Sequence, residues 1–228
     1  MSERSERGQP QGASRRRVRH IKNLLVEGIG TFFLVLVIGL TVIAPGAGAM
    51  APLAVGAILM VMVYAGGPIS GAHYNPAVTL AVWLRGKCKA KDALEYVGAQ
   101  AVGAVLAALL VGFLKNGSYV EPMRLDLVRA LAAEIIFTFA LAFVVLNVAT
   151  AKKTAGNSYF GLAIGFTVMA GAYAVGNISG GVFNPAVAVG LTVMGLSLPD
   201  NLWLYLAGNL VGGVLAALAF RATSGESH

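Results

Sequence analysis

From Ile21 to Phe220 the chain is a succession of apolar runs broken by short polar joints. Six runs, at about 22–43, 51–67, 92–114, 127–149, 158–176 and 200–220, can each form a helix that crosses a hydrocarbon core of ~30 Å. Two shorter stretches, about 75–84 and 184–196, lie between these spans, and each opens with Asn-Pro-Ala. Ten helical residues reach about 15 Å, half a bilayer, so the pattern predicts two re-entrant half-helices. The predicted fold class is an all-α membrane protein of six transmembrane helices plus two half-helices.

The two halves of the pattern match. Glu27-Gly-Ile-Gly-Thr31-Phe32 aligns with Glu134-Ile-Ile-Phe-Thr138-Phe139, and Ser70 to Val78 aligns with Ser179 to Val187 through the shared Asn-Pro-Ala-Val. Gln100 to Ala108 aligns with Asn209 to Ala217, and each amide residue follows its Asn-Pro-Ala asparagine by 25 positions. The repeats run about 22–114 and 127–220. Three spans per repeat is an odd number, so the second repeat is predicted to insert upside down, an inverted-repeat plan. The small residues at 98, 99, 103, 104, 212 and 213 are expected to permit close helix crossings.

Composition agrees and adds orientation. The 228 residues are 57% hydrophobic and 12% charged, far below the ~25% of an ordinary soluble domain. Seven of the 17 Lys/Arg precede the first span, and the net charge of +7 could suggest nucleic acid. Its placement ahead of a membrane helix points instead to topology or anionic head groups. Residues 1–20 are read as a disordered basic cytoplasmic tail and 21–221 as a single membrane domain. With that tail inside, 14 of the 17 basic residues fall on the cytoplasmic side, and only Lys115, Arg124 and Arg129 outside. Both termini are therefore expected in the cytoplasm of a multi-pass cell-membrane protein.

Little enzymatic chemistry is available. Cys88 is the single cysteine, so no intramolecular disulfide or cysteine metal site is expected, and His20, His73 and His228 lie far apart. No triad, phosphate-cradling loop or carboxylate pair is present, so no enzyme, cofactor or metal is expected.

The doubled Asn-Pro-Ala carries a function that one copy would not. Asn75 and Asn184 are strong N-caps, Pro76 and Pro185 suit the first helical position, and Ala77 and Ala186 propagate the helix. Inverted and head to head, the two N-termini place roughly +0.5 of an elementary charge each at the midplane and repel cations, hydrated protons included. With their oxygens used in capping, the Asn75 and Asn184 amide NH2 groups are expected to donate into a lumen. Gly71, Ala72, His73 and Tyr74, with Gly180, Gly181, Val182 and Phe183, are unwound approaches whose carbonyls would line the path. Glu27 and Glu134 are intramembrane acids without a basic neighbour; their symmetry favours a buttress accepting backbone N–H bonds over a proton relay. His73 is expected to hydrogen-bond in the vestibule rather than bind metal.

"SGAHYNPAVT" and "SGGVFNPAV", with the Glu27/Glu134 and Gln100/Asn209 positions, resemble the aquaporin and aquaglyceroporin family over about 200 of the 228 residues. The resemblance implies a right-handed bundle, homotetrameric, with one pore per subunit. It also implies a four-residue constriction, which carries over by gapless spacing onto Val55, Ala172, Gly181 and Val187. Water-selective members resemble Phe, His, a small residue and Arg there; glycerol-conducting members keep the Arg and tend to carry Asp three residues later. This chain has Val187 and Gly190 at those last two places, which makes it an atypical bacterial-type member lacking the filter arginine.

Without Arg the ring loses a fork of donors and a cation-repelling charge, and it gains width. The expected function is a passive channel for small uncharged solutes: glycerol, urea, neutral metalloid hydroxides such as arsenite or organoarsenicals, and water. Some bacterial family members with atypical filters are associated with arsenite or organoarsenical flux. The alternatives are an ordinary water-selective pore, a narrowing of the ring by Tyr173, and a non-conducting junctional membrane protein.

Overall fold

The structure is a computed structural model that describes residues 10–118 and 120–226. Among them there is no strand. Helices α1 (Pro10–Val42), α2 (Ala51–Ser70), α4 (Ala90–Leu114), α5 (Leu127–Val145), α6 (Phe160–Ser179) and α8 (Leu202–Ser224) form a bundle, with short helices α3 (Pro76–Leu84) and α7 (Pro185–Val193) inside it. Six helical segments are long and apolar enough to cross a membrane, and this is a multi-pass membrane protein of the predicted fold class.

Helix α1 corrects the expected tail. It starts at Pro10, so residues 10–20 are helical rather than disordered, while residues 1–9 of that tail lie outside the described residues. Arginine is a good helix former and proline suits a first helical turn. The tertiary anchor is His20, whose Nδ1 lies 3.7 Å from Asp92 and whose Nε2 contacts Glu95, both on α4. Sequence distance hid this cluster. Because opposite ring nitrogens face the two acids, the geometry suits two polar pairings rather than coordination of one ion.

The packing obeys the repeat. Helix α1 lies along α4 as α5 lies along α8; α3 packs on α8 as α7 packs on α4; and α2 meets α6 at the pseudo-symmetry axis. Glycine sets the closest crossings. A Cβ on Gly103 would fall 2.3 Å from the Gly28 carbonyl oxygen, and one on Gly212 would fall 2.6 Å from that of Ile135. Gly213 is equally tight against Ala77, 2.6 Å from its carbonyl, whereas Gly98 opens on free space and is no crossing point. The sequence reading passed over Gly56 and Gly165, whose Cβ atoms would lie 2.8 and 2.5 Å from each other's carbonyl oxygens. Gly103→Ala must push backbone from backbone, so a loss of roughly 1–3 kcal/mol is expected, read as a lower unfolding midpoint in detergent.

One end of the bundle gathers the start of α1, the 85–91 joint, the α5–α6 loop and the C-terminal residues. There Glu226 pairs with Arg85 and accepts the Lys152 amide N–H at 2.7 Å. In the same joint, burial first, then the charges of Asp92 and Glu27, push the Cys88 thiol up, so its nucleophilic thiolate is disfavoured at neutral pH.

Candidate pore and its filter

The re-entrant loops are held by the two acids. Helices α2 and α6 end on Gly71 and Gly180 in the left-handed region, at φ 93° and 90°. The chain then turns back, and Tyr74 and Phe183 also adopt positive φ, both 50°, a strain that must be held from outside. Glu27 supplies the hold: Oε1 accepts from Ser70 Oγ at 2.6 Å and His73 N at 3.0 Å, and Oε2 accepts from Tyr74 N and Gln100 Nε2, each at 2.8 Å. Glu134 mirrors it, accepting from Ser179 Oγ at 2.6 Å, Val182 N at 3.0 Å and Phe183 N at 2.7 Å. Both acids have no solvent exposure, and every donor to them is an amide or hydroxyl.

The mirror has one flaw. Asn209 is one methylene shorter than Gln100; its Oδ1 accepts from Thr138 at 2.9 Å and its Nδ2 is buried without a partner. Gln100 reaches both Glu27 and the Thr79 hydroxyl, whereas the position matching Thr79 is Ala188. Thr79 also donates to the Asn75 carbonyl, so the 3.1 Å contact with His73 Nδ1 has the imidazole as donor. His73 is thus fixed in the lumen wall by a hydroxyl.

Asn75 and Asn184 cap their half-helices as predicted from sequence. Asn75 Oδ1 accepts from Ala77 N at 2.8 Å and Val78 N at 3.4 Å, and Asn184 Oδ1 accepts from Ala186 N at 2.9 Å and Val187 N at 3.4 Å. Their amides differ from expectation. Asn75 Nδ2 donates to the Phe183 carbonyl at 2.8 Å, and Asn184 Nδ2 donates to the Tyr74 carbonyl at 2.9 Å. One N–H of each amide therefore staples the two loops together, and only the other remains for a solute. An amide has two donors and a carbonyl two lone pairs, which is why capping alone did not reveal the cross-links.

A lumen runs beside this junction. Its polar wall comes from Ala72, His73, Tyr74 and Asn75 of one loop and Gly181, Val182 and Asn184 of the other, and aliphatic side chains such as Leu59, Val63, Ile164 and Val168 close the far side. Its volume is about 30 Å³, room for about two waters, so it is a single-file bore. A vestibule of about 330 Å³ opens beyond it, lined by Ala172 and Gly180 among others. Ile38, Val55, Gly181, Val182 and Val187 border both spaces and so mark the passage between them. Gly181, at φ 65°, lies against Ala172: a Cβ there would sit 3.2 Å from the Ala172 Cα. The four positions expected from sequence to form the constriction therefore line one space, with nothing larger than valine among them, and Ile38 is the bulkiest side chain at the passage.

Several expected residues lie elsewhere. Pro76, Pro185 and Ala186 face an apolar groove between α4 and α8, and Gly71, Ala77 and Phe183 border neither lumen nor vestibule. Tyr173 is 52% exposed on the bundle's outer surface and does not narrow the ring. Sequence reasoning missed Glu121, an exposed acid lining the vestibule. Neither lining contains a lysine or arginine among the described residues. Its only signal in sequence was an acid in the joint before α5, with nothing to say that the joint folds over the mouth.

Known proteins share this arrangement. The major intrinsic protein family model matches residues 14–220. Aquaporin NIP1-3 of Oryza sativa subsp. japonica is 38% identical over 218 residues, covering 89% of this chain and 74% of that protein. Glycerol uptake facilitator protein-like 6 of Lactiplantibacillus plantarum is 34% identical over 221 residues, covering 90% of this chain and 100% of that one. The solved aquaglyceroporin from Plasmodium falciparum superposes with a TM-score of 0.75 at 22% identity, covering 90% and 96% of the two chains, a likeness of fold. With opposed half-helices capped by paired asparagines and held by mirrored glutamates, the chain belongs to the major intrinsic protein family, the aquaporin and aquaglyceroporin channels.

Proposed function

We propose that this channel passes small uncharged solutes larger than water, such as glycerol, urea and neutral metalloid hydroxides including arsenite and organoarsenicals, with water as a lesser cargo. The observation that carries the reading is Val187, 3% exposed on the first turn of α7 and facing Val55 and Gly181 across a passage with no basic side chain. Such a ring holds a solute only through loop carbonyls and the spare asparagine N–H groups, so it discriminates weakly among neutral hydroxyl and amide compounds. Ion exclusion falls to the opposed helix ends and to the dehydration cost of the aliphatic wall. The protein acts as a homotetramer in the cell membrane, with the end that gathers Arg85, Lys152 and both described chain ends in the cytoplasm. The excess of basic residues at that end supports the orientation.

The single-file lumen favours a second reading, an ordinary water pore: passage of glycerol requires Leu59, Val63 and their neighbours to change rotamer. Stopped-flow light scattering on proteoliposomes separates the two. Non-saturating glycerol, urea or arsenite flux above protein-free liposomes supports the solute channel, and water flux alone supports the water pore.

Glu121 gives an independent check that the cargo is neutral. An exposed charge at a mouth steers ions but not uncharged molecules. Glu121→Gln is therefore expected to leave glycerol flux within about twofold of wild type, measured in the same assay.

A further inference from the structure

We propose that the groove between the first turns of α1 and the C-terminal end of α2 binds the phosphate head group of an anionic phospholipid. Arg15, Arg19 and Lys22 line this groove of about 540 Å³ together with Val18, Pro68 and Ile69. The three cations stand at i, i+4 and i+7, one face of a helix. Asn23, its amide oriented to satisfy both polar atoms, donates to the Ile69 carbonyl at 3.0 Å and ties the two walls together below them.

Among the described residues the groove lacks a counter-ion of its own. Among the described residues no acid pairs with Arg15, Arg19 or Lys22. The described acids at this end of the bundle are committed elsewhere: Asp92 and Glu95 to His20, Glu95 also to Lys91, and Glu226 to Arg85. Three exposed cations converging without a partner leave room for an external anion.

Depth selects the kind of anion. Lys22 opens the apolar span, and Arg19 and Arg15 lie about 4.5 and 10.5 Å further out at 1.5 Å per residue. The head-group layer is ~5–8 Å thick on each face, the difference between the ~30 Å core and the 40–45 Å bilayer. Lys22 and Arg19 fall inside that layer, and Arg15 reaches back into it along its aliphatic stem. Val18 and Ile69, at 50% and 46% exposure, offer apolar surface to acyl chains beside the cations. A soluble phosphate would use the charges and leave this apolar surface unused, whereas a phospholipid uses both.

The test uses the full chain in non-ionic detergent, titrated with phosphatidylglycerol or phosphatidylcholine of matched acyl chains and read by native mass spectrometry. Wild type is expected to retain phosphatidylglycerol in preference to phosphatidylcholine. Arg15→Gln/Arg19→Gln/Lys22→Gln is expected to weaken the anionic lipid by about a hundredfold, at roughly a factor of five per basic residue. Lys87→Gln/Lys89→Gln/Lys153→Gln, which removes the same charge from the same end, should bind it like wild type. Arg19→Gln alone, losing about fivefold, serves if the triple variant does not fold. Equal retention of both lipids, an unaffected groove variant, or equal weakening in both triple variants would overturn the proposal. So would displacement of the lipid by equimolar inorganic phosphate, which would mark a free-anion site, or a second copy of the chain occupying the groove.

Discussion

Glu134→Ala is expected to abolish solute flux and to lower the unfolding midpoint sharply. The substitution strips acceptors from the Ser179 hydroxyl and the Val182 and Phe183 amides at a site with no exposure. A buried donor left without a partner costs about 1–3 kcal/mol. Relief from burying a carboxyl offsets part of that. The flux effect is larger than the stability effect because of what the loop carries. Phe183 adopts a positive φ with its N–H gripped by Glu134, its carbonyl receives the Asn75 staple, and Gly181 lines the passage between lumen and vestibule. Glu134→Gln keeps one acceptor oxygen and is expected to fall between wild type and alanine in both flux and midpoint. A proton relay would behave differently: Glu134→Gln would then fold as wild type and fail only in proton movement. Flux and midpoint measured across the three proteins decide between these roles.

Glu27→Ala exposes the asymmetry of the repeats. Glu27 has four donors where Glu134 has three, because Gln100 reaches the carboxyl and Asn209 does not. Its loss therefore also takes one of two acceptors from the Gln100 amide, which keeps only the Thr79 hydroxyl.

The half-helices were legible in the sequence because Asn-Pro-Ala is complete local chemistry: cap, first residue and propagation stand next to one another. The buttresses were legible because two acids in matching places without bases leave only backbone donors to satisfy them. Three other features depend on contacts between residues far apart in sequence. The α1 extension is helical although its arginines read as a solvated tail; its anchor, His20 to Asp92 and Glu95, spans more than seventy positions. The amide staples join Asn75 to Phe183 and Asn184 to Tyr74, and each needs the other repeat in place before it exists. Glu121 enters the vestibule through a loop with no periodicity to read. The Gly56–Gly165 crossing was within reach: the pair is separated by 109 positions, the same spacing that separates Asn75 from Asn184.

Val187→Arg is the second large expected effect. An arginine on the first turn of α7 would project where Val187 now faces Val55 and Gly181, at the passage between vestibule and lumen. It would fill the ring, add a fork of donors, and place a fixed positive charge there. Glu121, in the same vestibule, is available as a counter-charge. A positive residue beside a helix N-terminus costs about 0.3–1 kcal/mol, and desolvating the guanidinium at this 3% exposed position adds to it, so the variant's unfolding midpoint is measured beside its flux. Glycerol and metalloid flux should fall by about tenfold or more, the effect of roughly 1.4 kcal/mol or more added to the barrier, while water, which fits beside a guanidinium, still passes.

The glycerol-to-water permeability ratio of wild type and Val187→Arg, measured by stopped-flow light scattering in proteoliposomes of equal protein density, tests the filter most directly. The expected result is a high ratio in wild type that collapses in the variant while water flux persists. An unchanged ratio, with both proteins conducting water, would contradict the assignment of Val187 as the residue that opens this pore to larger solutes.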